Sequence, residues 1–364
     1  MAIMNWIGID DHADKWTIAH LKGADAEPTK EFELVPGESA YRRLICYAKE
    51  LKGRVRIVYE AGPCGYELYR RLTAAGLDCG VAAPSLTPKK SGERIKTNRR
   101  DAKKLARYLR SGDLTLITVP DRELESLRDL VRGRHNVQQD LVAIRNQISK
   151  LLLRYGHRYR LGKAWTQGFW RWLRAIKLGG HSATVLTEMI LTHDERAARI
   201  TRFDADIEAA SKDPAYAAYV QALCTLRGIN TLSAMTILSE LGDLRRYESA
   251  PKLMAAIGLV PSEYSTGESV KRFAITKTGN AHVRHVAVEA AWQYRRSVRT
   301  GPTIRRRRKD QPAAVVAIAE KCELRLNRKF NRMTSRRKRS TIAAVAVARE
   351  LIGFIWAIGQ QVHP

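Results

Sequence analysis

The sequence predicts a mixed α/β domain at the N-terminus followed by a long, mainly helical region. Three observations carry this. Residues 1–118 alternate short Val/Ile-rich runs with helix-like segments. From Pro120 onward, apolar residues recur at alternating spacings of three and four. The last third has helical patterning and is dense in Lys and Arg.

The elements follow in order. MNWIGID (4–10) and KWTIAHL (15–21), joined by a short polar turn, predict a hairpin, and KEFELV (30–35) a third strand. SAYRRLICYAKEL (39–51) reads as a helix and RVRIVYEAG (54–62) as a central strand. Helix GYELYRRLTAAG (65–76), strand CGVAAP (79–84) and helix RRDAKKLARYL (99–109) complete the domain. Next, Leu127, Leu130, Arg134, Val137, Leu141, Ile144, Ile148, Leu151 and Tyr155 form about four heptads, with Arg134 as the polar interruption. Two pairings fit this long helix: a return helix within 181–222 of the same chain, or a second copy in a dimerising coiled coil. In AWTQGFWRWLRAIK (164–177), Trp165, Phe169 and Trp172 share one helical face. That suits core packing, while the interleaved cations suit base stacking. Domain limits are therefore placed at 1–118, 119–215 and 216–364.

Composition narrows the function. Sixty-four Lys and Arg against 37 Asp and Glu give a formal charge of +27. Such an excess costs self-repulsion and points to a polyanion partner, nucleic acid ahead of a membrane surface, because no amphipathic or lipid anchor is evident. Five scattered cysteines without a CxxC pair argue against a disulfide framework or zinc ribbon and for a reducing cytoplasm. Acids arrive too early in MAIMNWIGIDDH for a signal peptide, and the apolar stretch 342–358 carries Arg349 and Glu350, so a buried helix is expected there.

Three acids stand where phosphoryl-transfer chemistry needs them. Asp10 ends the first strand run, Glu60 ends VRIVYE, and Asp101 opens a later helix. Carboxylates at adjacent strand ends and one helix can converge on Mg²⁺. The pleat turns Asp11 to the other face, and His12 and Asp14 belong to the turn. KTNRRDA (96–102) has two readings: Asn98 as a helix N-cap with Asp101 completing a capping pair, or both as site residues on one helical face. Arg99, Arg100, Lys103 and Lys104 lie beside them to hold a phosphate.

In the C-terminal third, LRGINTLSAMTILSELGDL (226–244) has the form of a helix-hairpin-helix or a plain αα-turn; as the former, Arg227, Gly228 and Asn230 would approach phosphate. Ser265 and Thr266 precede Gly267 in a polar loop, followed by Lys271, Arg272, Lys277, His282, Arg284 and His285. A serine attacking a phosphodiester needs such cations. Residues 301–340 hold fourteen cations against three acids. The runs Arg305, Arg306, Arg307 and Arg308, then Arg336 and Arg337, suit phosphate neutralisation.

Six segments, WIGID (6–10), VYEAGPCGYELYRRL (58–72), IKTNRRDAKKLARYL (95–109), LRGINTLSA (226–234), GLVPSEYSTG (258–267) and ITKTGNAHVRHVAVEAAWQYR (275–295), occur in the order found in one family. The chain resembles the DEDD insertion-sequence transposases, relatives of the Piv DNA invertase. The resemblance implies a RuvC-like, ribonuclease-H-type N-terminal domain whose acids bind Mg²⁺ (or Mn²⁺). It also implies a coiled-coil linker and a helical domain with a nucleophilic serine that forms a covalent phosphoserine. It further implies donor and target DNA, a non-coding bridge RNA that guides recognition by base pairing, and a homo-oligomer, dimer or tetramer, in the bacterial cytoplasm at the nucleoid. Asp10, Glu60 and Asp101 match the first, second and fourth acids of that pattern, while the third falls on Asn98, an amide that ligates only through its carbonyl oxygen or through water. The family serine falls on Thr266, with Ser265 one place earlier; Ser265, the less hindered hydroxyl, is expected to be the nucleophile and Thr266 the alternate. A structure-specific nuclease without a covalent intermediate, or a non-catalytic nucleic-acid-binding protein, are the competing readings.

Overall fold

The computed structural model describes residues 3–88, 97–266 and 269–363, without the side chains of Val270 and Arg272. It divides into two compact units meeting at Pro120 and Asp121.

The first unit is built on a five-stranded mixed sheet, ordered β3-β2-β1-β4-β5. Strands β1 (Met4–Asp11), β2 (Trp16–Lys22) and β3 (Lys30–Leu34) form an antiparallel meander. After α1 (Glu38–Glu50), strand β4 (Arg54–Glu60) returns parallel to β1, and after α2 (Glu67–Ala74), β5 (Asp78–Ala82) lies parallel to β4. The odd positions Ile7, Ile9, Ile57 and Tyr59 pack in one core with Leu44, Leu68 and Leu72 of α1 and α2. On the opposite face, Val58 and Ala82 pack against Leu105 and Leu109 of α3 (Asn98–Ser111). Period-two alternation thus separates two helical layers.

In the second unit, α4 (Arg122–Arg154) and α6 (His181–Ala210) pair within the chain. Arg134 bonds Asp204 at 2.9 Å, and Arg145 bonds His193 at 3.2 Å. As one number rises the other falls, so the pair is antiparallel, and Arg134 meets a charge across the seam. The intrachain pairing is the one this structure contains. Helix α5 (Gln167–Ala175) lies between them, with Phe169 and Leu173 buried and Trp165, Trp170 and Trp172 packed around them, which is the core-packing reading of those aromatics. The remaining elements are α7 (Ala217–Leu223), α8 (Thr231–Leu241), α9 (Ala250–Ala256), a hairpin of β6 (Pro261–Thr266) and β7 (Ser269–Ile275), α10 (Ala281–Ala291), α11 (Pro302–Arg308), α12 (Ala313–Ser335) and α13 (Ser340–Gly359). Leu127, Val131 and Ile207 of α4 and α6 belong to the core shared by these elements. Residues 121–215 therefore belong to the helical unit. Helix α13 is long and apolar enough to cross a membrane, yet half of its apolar window is buried in that core, between α9, α10 and α12.

Candidate active site and nucleic-acid surfaces

Register places Asp10 and Glu60 on one face of the sheet, the face that α3 covers. Gly8 pairs with Val58 and Ile9 with Tyr59, so the next step along both parallel strands brings Asp10 beside Glu60. Both follow the parity of Gly8 and Val58, the α3 side of the sheet. Gly8 explains how α3 comes so close. A Cβ there would lie 2.2 Å from the Ala102 carbonyl oxygen and 2.5 Å from the Ala106 nitrogen. Only hydrogen fits, and the first turn of α3, with Asp101, is drawn down onto β1. Asp11 faces the other layer; burial raises its carboxyl above the ordinary range, against hydrogen bonds from Cys64 and Trp16 and the charge of His12. His12 and Asp14 are exposed in the turn, 3.8 Å apart.

In this structure Glu60 and Asp101 have different partners. Thr87 Oγ1 donates to Glu60 Oε1 at 3.1 Å, and Lys104 Nζ lies 3.8 Å from Asp101 Oδ1. Among the described residues no three His, Cys, Asp or Glu side chains converge tightly enough to hold an ion. The donor types nevertheless suit Mg²⁺: hard carboxylate oxygens at the C-terminal ends of two central strands and in the first turn of α3. Glu60 is exposed, and Asp10 and Asp101 are half-buried.

Within KTNRRDA the capping residue is Thr97 and not Asn98: the Thr97 hydroxyl accepts from the Arg100 nitrogen at 3.3 Å. Asn98 is the first helical residue, exposed, one turn before Asp101. Lys96 and Ile95, which precede the cap, lie outside the described residues. Of the neighbouring cations, Lys103 is held by Glu31 at 3.0 Å, whereas Arg99 and Arg100 are exposed.

The polar loop expected around Ser265 is instead the β6–β7 hairpin. Its base is rooted by two glycines: a Cβ on Gly258 would meet the Thr278 oxygen at 2.1 Å, and one on Gly279 the Ala256 oxygen at 1.8 Å. Asn280 then caps α10, accepting from Val283 N at 2.9 Å while donating to Glu240 Oε2 at 2.6 Å. Glu240 also receives a two-pronged bond from Arg132, at 2.7 and 2.8 Å. Burial opposes the Glu240 charge, but the bonds from Arg132 and Asn280 and the nearby Arg128 hold its carboxyl below the ordinary range. On the hairpin, Ser265 pairs with Val270 and Thr266 with Ser269, so the two hydroxyls lie on opposite faces. Ser265 Oγ donates to Glu263 Oε1 at 2.8 Å. Both hydroxyl residues are exposed, as are Lys271 and Lys277. Gly267 and the Arg272 side chain lie outside the described residues.

Several expected phosphate ligands bond groups of the fold. Arg227 bonds the carbonyls of Ser297 and Arg299 at 3.0 and 2.8 Å and the buried Glu323 carboxylate at 2.5 Å. Gly228 (φ 85°) sits against the Ala290 backbone, and Asn230 caps α8 through the Ser233 nitrogen at 2.9 Å. Arg284 reaches the Ile257 carbonyl at 2.8 Å, Arg307 that of Ile229 at 2.8 Å, and Arg308 bonds Glu323 at 3.0 Å. The 225–230 hairpin turn is thus a structural joint between α8, α10 and α11. His282 and His285 pack edge-on against His135 of α4, at 4.9 and 6.5 Å between ring centres, lining a cavity with Gly228 and Asn230. Arg305, Arg306, Arg336 and Arg337 are exposed.

Sequence reasoning missed one cationic surface. On α12, Lys321, Arg325, Arg328 and Arg332 follow at intervals of four, three and four, all exposed, along a wide groove. Beneath them Glu350 of α13 holds Arg325 and Lys329 at 2.8 and 2.5 Å. The helical period was the available signal, and the consecutive arginine runs on either side obscured it.

A sheet edge carrying acids, in a chain of this positive charge, defines a protein that works on nucleic acid. The comparisons with known proteins give the class. Residues 7–157 match the family model of DEDD transposases, and residues 220–307 that of the IS116/IS110/IS902 transposases. A candidate transposase of Sinorhizobium fredii, y4qE, is 39% identical over 357 residues, covering 98% of this chain and 88% of its own. The transposase for insertion sequence element IS1533 of Leptospira borgpetersenii is 31% identical over 350 residues, covering 92% and 98%. This chain belongs to the IS116/IS110/IS902 family of insertion-sequence transposases, enzymes that act on DNA.

Proposed function

We propose that this transposase cuts and rejoins DNA through a phosphoserine intermediate, in a reaction assisted by Mg²⁺ (or Mn²⁺) on a RuvC-like acidic site and guided by a non-coding bridge RNA. The acidic site is supported by the register that brings Asp10 beside Glu60 on the α3 side of the sheet, and by the Gly8 contact that packs the helix of Asp101 onto β1. When bound there, the ion supplies Lewis-acid stabilisation of charge on the phosphate oxygens. Asp10, Glu60 and Asp101 would hold it, Asn98 contributing through its amide oxygen.

Ser265 is the favoured nucleophile over Thr266. Its hydroxyl already donates to a carboxylate, Glu263, which is the nearest acceptor for the proton released as Oγ bonds to phosphorus. The bond from phosphorus to the leaving sugar oxygen breaks in the same step, and the strand is rejoined by the reverse attack. Lys271 and Lys277, both exposed in the segment that follows, are the cations proposed to meet the attacked phosphate. Arg99 and Arg100 beside Asp101, and Arg305, Arg306, Arg336 and Arg337 in the helical unit, contact donor or target DNA or the guide RNA. A homo-oligomer, dimer or tetramer, completes the reading.

The test traps the protein on DNA carrying the element junction, with Mg²⁺ and the cognate RNA, and maps the linked residue by peptide mass spectrometry. A link to Ser265, abolished in Ser265→Ala and retained in Thr266→Ala, is expected. Strand cleavage that persists when both hydroxyls are removed would establish a hydrolytic nuclease instead. Cleavage insensitive to Asp10→Ala and Glu60→Ala would remove the acidic site from the mechanism.

A further inference from the structure

The β6–β7 hairpin stands apart from the rest of its unit. Its two strands make a two-stranded sheet of their own. A free two-stranded ribbon is marginal in water and gains nothing by displaying large apolar groups. Yet Tyr264 is 66% exposed and Phe273 60% exposed. Tyr264 pairs across the ribbon with Lys271, and Phe273 follows two residues beyond Lys271, where the register shifts opposite Pro261 and Glu263, so two exposed rings and a cation share one stretch of the ribbon. Ser265 and Glu263 occupy the face opposite Tyr264. Glycine contacts at Gly258 and Gly279 fix the base from which the ribbon projects.

We propose that Tyr264 and Phe273 form a stacking platform for unpaired nucleobases of the DNA strand beside the scissile phosphate, with Lys271 holding the adjoining phosphate. This rests on the nucleophile reading above, since Ser265 follows Tyr264 directly. Exposed aromatic rings beside a cation fit an occupant with π faces and negative charge. A second copy of the hairpin is disfavoured by the same charge, because Lys271 would face Lys271 in a chain of net charge +27. Fully paired duplex offers its base faces only at a cost in unstacking, so the platform favours DNA that is already open.

The experiment uses the full chain and two oligonucleotides of one sequence, one fully paired and one with a short central bubble carrying 2-aminopurine. Stacking on an aromatic ring quenches that base. Tyr264→Ala is expected to weaken bubble binding about tenfold, and Tyr264→Ala/Phe273→Ala about a hundredfold. Both should abolish the quench while changing paired-duplex binding less than about twofold. Tyr264→Trp should restore quench and affinity. Unaltered quenching in the double variant, or equal losses on both DNAs, overturns the proposal. So does a double variant that changes oligomeric state, which assigns the face to a second copy, or a quench seen only with an RNA bubble. Ser265→Ala/Thr266→Ala provides the separation from the nucleophile reading: it should keep the quench and lose the covalent product. A covalent link found elsewhere, with the quench intact, would overturn the nucleophile and leave the platform standing.

Discussion

Gly8→Ala tests the link between sheet packing and the acidic site. The added methyl would sit 2.2 Å from the Ala102 oxygen and 2.5 Å from the Ala106 nitrogen, both backbone atoms of α3. Ordinary heavy-atom contact begins near 3.5 Å, so the helix must retreat by about 1 Å. Overpacking of this kind costs about 1–3 kcal/mol. The upper end is expected, because Ala102, Leu105, Ala106 and Leu109 are all buried beneath the displaced helix. Mg²⁺ demands oxygen distances of about 2.0–2.1 Å, so a retreat of about 1 Å takes Asp101 out of reach, worth on the order of 100-fold in rate. Gly80→Ala is the control from the same sheet. Its methyl would meet only the flexible tip of Leu116, at 2.8 Å, and should cost under about 1 kcal/mol. Hydrogen exchange of α3 and β1 amides reads the packing, and Mg²⁺-dependent cleavage reads the site. The reasoning is refuted if Gly8→Ala is as benign as Gly80→Ala, or if it loosens α3 without slowing cleavage.

Two further outcomes concern the helical unit. Glu240→Gln leaves Arg132 and Arg128 without their carboxylate and should destabilise the unit by about 3 kcal/mol, the low end for a broken buried pair because Arg132 is 45% exposed. The Glu240 pKa is lower folded than unfolded, so its contribution is complete above the ordinary value of 4.5 and is lost as pH falls through the depressed one. Urea midpoints of wild type and Glu240→Gln should therefore converge in that acid range. On α12, Arg328→Ala/Arg332→Ala should reduce the slope of log affinity against log salt for duplex DNA by about 2, at roughly 0.9 for each phosphate no longer neutralised. An unchanged slope would remove this face from the DNA surface.

Much of the α/β unit was legible because alternation is a local signal. The parity that buries Ile7 and Ile9 also sends Asp10 away from Asp11, and the apolar run of β4 fixes Glu60 at its end. The α4 heptads implied a partner helix, but Asp204 as the partner of Arg134 lies seventy residues away and has no local signature. The arginine run shows the same limit. Helical rotation turns Arg308 toward Glu323 and leaves Arg305 and Arg306 outside, a choice made by a carboxylate on another helix. The hairpin was missed because Ser, Thr and Gly read as turn formers. PSEYST and SVKRFAI pair through backbone hydrogen bonds and present little apolar alternation.

Asn98 remains the departure from a four-acid pattern, and Thr97 changes what it means. With the cap supplied by Thr97, Asn98 is released from any need to be a capping residue. At the first helical position an aspartate would interact better with the helix dipole, by about 0.3–1 kcal/mol. An amide there is therefore not selected by helix stability. On the proposed acidic site its value is electrostatic: Asp101 lies one turn on, and a fourth charge beside Asp10, Glu60 and Asp101 would add repulsion whenever the ion is absent. Asn98→Asp is thus expected to act in two separable ways. Without Mg²⁺, α3 should gain at most the dipole term, offset by repulsion from Asp101, and its hydrogen exchange should change little. With Mg²⁺, the added carboxylate should tighten ion binding, measured by titration calorimetry, at least tenfold, as expected for a charged ligand replacing a neutral one. Equal Mg²⁺ affinity in Asn98→Asp and wild type would place position 98 outside the ion's coordination.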